Sequence, residues 1–280
     1  MPIHDAKHEF LPEFQGPEVS LLAVAVGNTR TRFGMFNGKD LQDPTSLPNS
    51  DSSAIVDAIV KASESTHGAP IVIASVNAAV ADQLERALTD AQGETVYRIG
   101  RDVAIPMSHT LSDASTLGQD RLLCAFGAYQ RAGQACVVVD AGTAITVDFV
   151  DGEGVYHGGI IAPGLNMMLA ALHEHTAALP KLVYSPPAED LGPFGKDTRH
   201  AMLLGVRSAA QGLVRLTAER YAEHYEAYPQ IVATGGDAPA LFQDDPVVEH
   251  IVPDLQLIGI REACVAALTS NDEDDDPDDQ

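Results

Sequence analysis

Tryptophan is absent from this 280-residue sequence, and only three cysteines are present. No apolar run is long enough to cross a membrane as a helix. Cys124, Cys136 and Cys264 show no paired spacing, so we expect buried thiols in a reducing compartment. The first ten residues, MPIHDAKHEF, lack the charged-then-apolar order of a targeting segment. These absences predict a soluble, cytoplasmic protein.

Basic residues are also scarce, because 17 Lys and Arg stand against 40 Asp and Glu, for a net charge of -23. The last ten residues, NDEDDDPDDQ, hold seven of those acids, so 271–280 is predicted to be a disordered acidic tail. Residues 1–17 are interpreted as a loose N-terminal extension. The rest of the chain is still acidic, which argues against nucleic acid or an anionic membrane as a partner.

Strands and helices alternate in the first half of the sequence, which predicts an α/β sheet. Apolar runs and alternation predict strands at 21–26, 30–36, 70–76 and 95–100. The helical spacing of apolar residues predicts helices at 54–63 and 78–91. The segment 40–53, DLQDPTSLPNSDSS, is predicted to be a loop because of its Pro, Ser and Asp content.

A change of composition at 107–116 suggests a boundary, so we expect a first lobe at 18–115 and a second at 116–270. Helices are predicted at 117–133, 164–178, 197–227 and 260–269. Between them lie a hairpin at 136–152, a third strand after it, and a strand at 231–236 that ends in a glycine turn.

One pattern occurs in both halves of the chain: VAVGNTRTRFGMFNG at 24–38 and VVDAGTAITVDFVDG at 138–152. Each is a strand, a glycine, a small polar residue, a second strand and a glycine turn. Gly27 matches Gly142, and Ala25 falls opposite Asp140. This repeat suggests a duplicated fold with a cleft between its halves, although any two β-hairpins share some likeness.

Glycine turns of this kind let backbone N–H groups approach phosphate oxygens. The second hairpin adds the hydroxyl of Thr143 and the carboxylate of Asp140, which could hold a cation. The first hairpin has Asn28 and Thr29 but no acid. A third glycine turn, ATGG at 233–236, is by itself most typical of a strand-to-helix loop.

Two helix starts carry candidate chemistry. In GQDR at 118–121, Asp120 could be a general base and Arg121 a clamp for a carboxylate or phosphate. The alternative is a solvated pair, with the acid near the positive end of the helix dipole. In GKDT at 195–198, Thr198 could cap the helix or bind a substrate, and His157 could line a cleft or simply pack.

Six motifs in this order resemble type III pantothenate kinases. They are GNT at 27, LGQDR at 117, VVVDAGTAIT at 137, GGIIAPGL at 158, GKDT at 195 and ATGG at 233. That family belongs to the actin, sugar kinase and Hsp70 superfamily, and the resemblance spans residues 20–270. It implies a duplicated ribonuclease-H-like, actin-like ATPase fold with two lobes around a nucleotide cleft.

The resemblance also implies a reaction, the transfer of the ATP γ-phosphate to the primary hydroxyl of pantothenate, which is the first step of coenzyme A biosynthesis. Asp120 would be the base, and Asp140 would hold a monovalent cation, K⁺ or NH₄⁺, beside ATP and Mg²⁺. The implied ATP-binding residues are Ala25, Val26, Gly27, Asn28, Thr29, Arg30, Thr31, Arg32 and Thr143. The implied pantothenate-binding residues are Leu111, Gly118, Gln119, Asp120, Arg121 and Thr198. Members are homodimers with sites at or near the subunit interface.

Two positions depart from the family pattern. Ala25 stands where the family has an Asp near Mg²⁺, and loss of such a group commonly costs 10–100-fold in metal affinity or activity. Leu111 stands where a Tyr usually lines the pantothenate pocket, and Leu cannot donate a hydrogen bond. Three hypotheses follow: a kinase with a weakened metal site, a pseudokinase that binds nucleotide or pantothenate, or a kinase of a related small alcohol.

Overall fold

The computed structural model describes residues 19–64, 68–92 and 96–274. The predicted N-terminal extension and residues 275–280 of the predicted tail lie outside these ranges. The described residues form two compact units, one of residues 132–253 and one of the segments that precede and follow them.

The first sheet has strand order β3-β2-β1-β4-β5. Its strands are β1 (Leu21–Val26), β2 (Arg30–Asn37), β3 (Asp40–Pro48), β4 (Ile71–Ser75) and β5 (Val96–Arg98). Strands β1 to β3 are antiparallel neighbours, whereas β4 runs parallel to β1 and β5 parallel to β4. The helices α1 (Ser52–Glu64) and α2 (Ala78–Gln92) follow β3 and β4. Their apolar residues share a buried core with alternate residues of β1 and β4, such as Val24 and Ile73.

The prediction of a loop at 40–53 is wrong, because residues 40–48 form strand β3 at the edge of this sheet. Proline has no backbone N–H to donate, so it is tolerated in an edge strand, where Pro44 lies. Asp43 next to it has φ 47°, and the β2–β3 register shifts between Phe33 and Met35. The irregular edge explains why the composition of this segment indicated a loop.

Two further helices belong to the same unit. They are α3 (Gln119–Ala132) and α7 (Leu255–Asp274). Helix α7 packs against β1 and β2. It crosses α3 closely, because a Cβ atom at Gly259 would lie 2.1 Å from the carbonyl oxygen of Leu123. Helix α7 is longer than the predicted 260–269, and its last four residues fall within the predicted tail.

The second sheet has strand order β10-β9-β6-β7-β8. Its strands are β6 (Cys136–Ala141), β7 (Ala144–Val150), β8 (Tyr156–Pro163), β9 (Gln230–Thr234) and β10 (His250–Ile251). Its helices are α4 (Leu165–Glu174), α5 (Thr198–Tyr225) and the short α6 (Ala238–Phe242), with a 3₁₀ turn at Glu189–Leu191. Residues of α4, α5 and α6 pack with one face of β6, β7 and β9 in a second buried core.

The two sheets repeat one plan: three antiparallel strands, then two parallel strands added beside the first strand. This confirms the predicted duplication. The turn between β1 and β2 has three residues, 27–29, whereas the turn between β6 and β7 has two, 142–143. That extra residue explains why, once Gly27 is aligned with Gly142, the following strands align only with a gap of one residue in the second turn.

The division into compact units differs from the predicted boundary between residues 115 and 116. Helices α3 and α7 are grouped with the first sheet, since α7 packs on β1 and β2 and α3 packs against α7. Repetition defines the two lobes, whereas packing defines the two units, so the predicted lobe bounds, 18–115 and 116–270, stay a prediction.

All three cysteines are buried thiols, as predicted. Burial raises the pKa of Cys136 and of Cys264 to about 12. Within the described ranges, no helix combines the length and apolarity that crossing a membrane requires.

Candidate active site

The first glycine turn is held at the carboxyl end of β1 by backbone hydrogen bonds. Gly27 N donates to Arg30 O at 2.9 Å, and Asn49 Nδ2 donates to Gly27 O at 2.8 Å. Asn28 and Thr29 are exposed at the tip of the turn. Ligands of open α/β sheets bind at such carboxyl ends, so this turn lies where a phosphate site is expected.

The other ATP-binding residues predicted in the first hairpin are held by contacts within the unit, although Arg30 is exposed. Ala25 and Val26 are buried, at 3% and 0% exposure, so their side chains face the core. Arg30 Nε donates to Ser46 Oγ at 2.9 Å, and the buried Thr31 donates its hydroxyl to Asn49 Oδ1 at 2.9 Å. The segment therefore supplies mainly backbone groups, with the exception of Arg32.

Arg32 forms an ion pair with Asp254, the residue before α7, through its Nε atom. No local pattern pointed to Asp254, because the two residues are 222 positions apart in the chain. Asn49, which braces the first turn, was likewise not identified from the sequence.

Asp120 lies in the first turn of α3, next to the same sheet edge. Val76 follows β4, and its N–H donates to Val26 O at 3.1 Å, one residue before Gly27. A Cβ atom at Gly118 would lie 2.4 Å from Asp120 Oδ1 and 3.8 Å from Val76 Cγ1. The carboxyl ends of β1 and β4 thus bring the candidate base and the first glycine turn together in one unit.

The remaining predicted substrate-binding residues of this unit differ in their contacts. Gln119 donates its amide N–H to Ile99 O at 3.1 Å, which fixes the start of α3 to the end of β5. Arg121 donates its backbone N–H to Asp120 Oδ1 at 2.8 Å, and its side chain is partly exposed. Leu111 is half-buried in the segment between β5 and α3.

Asp140 lies at the equivalent end of β6, where the ATGG turn touches it. A Cβ atom at Gly235 would lie 2.5 Å from Asp140 Oδ1 and 2.3 Å from Ala141 O. Gly235 has φ 91°, a left-handed conformation that glycine adopts without strain. Asp237 N donates to Ala141 O at 2.9 Å. The ATGG segment is therefore part of the site around Asp140, in contrast to the isolated loop that its sequence alone indicates.

A third turn, between β8 and α4, closes on the second hairpin. Gly164 N donates to Thr143 O at 3.2 Å, and a Cβ atom at Gly164 would lie 2.2 Å from Gly142 O. Thr143 is exposed at the tip of this hairpin. Three turns therefore meet around Asp140.

Neither nearby acid of the second hairpin lies at the turn of Gly142. Asp148 is buried and accepts a hydrogen bond from the Tyr156 hydroxyl at 2.7 Å. Asp151 lies 2.7 Å from His157 Nε2 and accepts from the backbone N–H of Val155. His157 therefore pairs with an acid at the opposite end of β7 from Thr143.

Thr198 is the first residue of α5 and is exposed. The helix is capped by Asp197, whose Oδ1 accepts from His200 N at 2.7 Å. The hypothesis that Thr198 is the cap is wrong, and the hypothesis that it contacts substrate stays a prediction.

A cation fits the second hairpin better than the first. Mg²⁺ is commonly bound through one or two carboxylates together with substrate phosphates, and Asp140 offers one carboxylate beside two glycine turns. Ala25 offers none at the equivalent place. In the described part of the chain, no group of three His, Cys, Asp or Glu could hold a metal ion without other ligands.

The repeated sheets, each with a glycine turn at the carboxyl ends of its strands, have the plan of the actin-like ATPase and sugar kinase fold. Comparison with known proteins gives the family: the model of the type III pantothenate kinases matches residues 21–220. The chain belongs to this family.

Curated relatives agree with this assignment. A type III pantothenate kinase of Chlorobium luteolum is 34% identical over 228 residues, which is 79% of this chain and 84% of the relative. One of Rhodopirellula baltica is 40% identical over 192 residues, 66% of this chain and 68% of the relative. The chain is therefore a kinase that uses ATP and a divalent metal ion, and nothing in these matches supports a pseudokinase.

Solved structures show the same fold at low identity. A candidate transcriptional activator of the Baf family from Campylobacter jejuni superposes with a TM-score of 0.58 at 20% identity, covering 90% of this chain and all of that one. Component A of (R)-2-hydroxyglutaryl-CoA dehydratase from Acidaminococcus fermentans gives 0.52 at 14%, with 90% and 98% covered.

Proposed function

We propose that Asp120 is the general base for transfer of the ATP γ-phosphate to the primary hydroxyl of pantothenate. The observation that carries this proposal is the position of the Asp120 carboxylate at the sheet edge that also holds the first glycine turn. A neutral alcohol is a poor nucleophile, so a carboxylate within reach of its proton assists attack. Phosphoryl transfer otherwise requires mainly positioning and charge neutralisation.

Substrate binding is assigned to the same end of α3. The partly exposed Arg121 would bind the carboxylate of pantothenate, because a guanidinium pairs well with a planar anion. Gln119 acts through its bond to Ile99, which fixes the helix start that carries Asp120. Leu111 supplies only apolar contact, which leaves room for a related small alcohol as substrate.

Asp140 is proposed to hold a monovalent cation, K⁺ or NH₄⁺, between the second hairpin and the ATGG turn. Support comes from the close approach of Gly142 and Gly235 to Asp140. Because neither glycine has a side chain, space is left for a ligand beside the carboxylate. Thr143 would donate its hydroxyl to ATP. A bound divalent ion would neutralise charge on the nucleotide phosphates.

A homodimer is proposed as the assembly. Helix α5 exposes Gly205 and Gly212, seven residues apart, and a Cβ atom at either would meet nothing within 4 Å. Leu216 on the same helix is 50% exposed. Small residues allow two helices to approach closely, so this face suits a second copy, which would also place Thr198 near an interface. We place the protein in the cytoplasm, in keeping with its membership of a family of biosynthetic kinases.

The experiment that tests the function is coupled ADP release with Mg·ATP and pantothenate, with and without potassium. We expect pantothenate-dependent turnover that potassium raises. Asp120→Asn should abolish turnover and leave ATP binding measurable, whereas Asp57→Asn, a change of an exposed acid on α1, should alter neither.

Three results would contradict the proposal. Full activity of Asp120→Asn would remove Asp120 from the base role. Turnover that appears only in Ala25→Asp would mean that the native chain is inactive. If neither the native protein nor Ala25→Asp turns over pantothenate but one of them turns over another small alcohol, the substrate is a different one.

A further inference from the structure

Arg32 lies directly opposite Ala25 in the antiparallel pair of β1 and β2. Opposite residues of such a pair point to the same face of the sheet, with Cβ atoms about 4.5–5.5 Å apart. In the second sheet the equivalent pair is Asp140 opposite Thr146. The two glycine turns therefore differ in charge: the second has an acid and a neutral partner, and the first has a neutral residue and a cation.

The contacts of Arg32 use only part of its guanidinium. Its Nε atom is paired with Asp254, whose side chain is 15% exposed. Among the described residues, its terminal Nη atoms have no hydrogen-bond partner, and the side chain is 36% exposed. A guanidinium carries five N–H donors in a fixed fork, so an arginine fixed through Nε keeps donors for an anion.

Ala25 is what keeps this charge available. Its side chain is a methyl group at 3% exposure, beside the stem of Arg32. A carboxylate at position 25 would lie next to Arg32 and pair with it, because opposite charges on facing strand positions attract. Alanine at position 25, in place of the Asp of the family pattern, thus removes a metal ligand and at the same time leaves the Arg32 cation beside the first glycine turn.

We propose that Arg32, oriented by Asp254, binds nucleotide phosphate oxygens directly at the first glycine turn and replaces an acid-held metal ion there. This inference rests on the proposed function, because it concerns the same nucleotide site. Its consequence is that nucleotide binding depends only weakly on divalent ions. Arginine suits this role, since it makes paired hydrogen bonds to phosphate.

The test is calorimetric titration of the full chain with ATP, once with excess Mg²⁺ and once with EDTA. We expect the native Kd in EDTA to lie within tenfold of the Kd in Mg²⁺. Arg32→Gln should weaken binding in EDTA by about 10- to 100-fold, the range for a lost charged hydrogen bond. Arg86→Gln, which removes an exposed arginine of α2, controls for net charge.

Two further variants keep the test decisive if Arg32→Gln folds poorly, as judged by circular dichroism. Arg32→Lys keeps the positive charge and should retain most of the binding in EDTA. Ala25→Asp should weaken binding in EDTA and recover in Mg²⁺, because the new carboxylate pairs with Arg32. A native Kd that rises more than tenfold in EDTA overturns the proposal, as does an Arg32→Gln titration equal to that of Arg86→Gln.

Failure of this inference can be told apart from failure of the proposed function. Tight ATP binding in EDTA without pantothenate turnover would retain the role of Arg32 and reject the substrate. Normal turnover with ATP binding that requires Mg²⁺ would do the reverse.

Discussion

Replacement of Gly235 by alanine is the sharpest structural test of the site around Asp140. Gly235 has φ 91°, outside the region that residues with a side chain prefer. The added methyl group would lie 2.3 Å from Ala141 O and 2.5 Å from Asp140 Oδ1. The first of these neighbours is backbone of β6 and cannot move without disturbing the sheet.

The cost has two parts. Holding a residue with a Cβ atom at this φ lowers the free energy of unfolding by about 1–3 kcal/mol. Forcing an extra carbon into a packed place costs about 1–3 kcal/mol more. We therefore expect the free energy of unfolding to fall by about 2–6 kcal/mol, and the Asp140 carboxylate to be displaced from its present position.

Gly236→Ala is the matched control, because a Cβ atom there would meet nothing within 4 Å. Urea unfolding followed by circular dichroism measures stability, and the potassium dependence of turnover reports on Asp140. Gly235→Ala should lower both the stability and the activation by potassium, whereas Gly236→Ala should change stability by less than about 1 kcal/mol. Equal unfolding midpoints and equal potassium activation in the two variants would refute the close approach of the ATGG turn to Asp140.

Two other predictions concern pH and assembly. Burial raises the pKa of Asp237, so the stability linked to its neutral form is complete below pH 3.8, its ordinary pKa, and is lost as pH rises through the folded value. Asp237→Asn should therefore stabilise the protein at pH 7 and not at pH 3. An equal effect of the substitution on urea unfolding at the two pH values would contradict this. Analytical ultracentrifugation should give twice the 29.6 kDa chain mass, and Leu216→Glu should shift it toward the monomer; a native monomer would rule out the dimer.

Local patterns of the sequence were enough to predict the two hairpins and their glycine turns. Gly27 and Gly142 end strands whose apolar residues are continuous, and such signals depend only on near neighbours. Strand β3 was missed for the same reason: Pro44 weakens the local signal, and the strand exists because β2 offers an edge for it to pair with.

Contacts between distant parts of the chain could not be predicted in this way. The pairing of Arg32 with Asp254 joins residues 222 positions apart, and neither has a distinctive local pattern. Likewise, the approach of Gly235 to Asp140 follows from the parallel pairing of β6 and β9. The resemblance to a known family named the residues, whereas only the fold showed which of them have structural partners.

The membership of α7 in the first unit has a consequence for synthesis of the protein. Residues 132–253 are continuous, so they can fold as soon as they leave the ribosome. The first sheet is translated earlier but waits for α7 to cover β1 and β2, because that helix ends at Asp274. We therefore expect the first unit to complete its core after residues 132–253, the reverse of the usual N-terminal-first order, with part of β1 and β2 uncovered until α7 has been made.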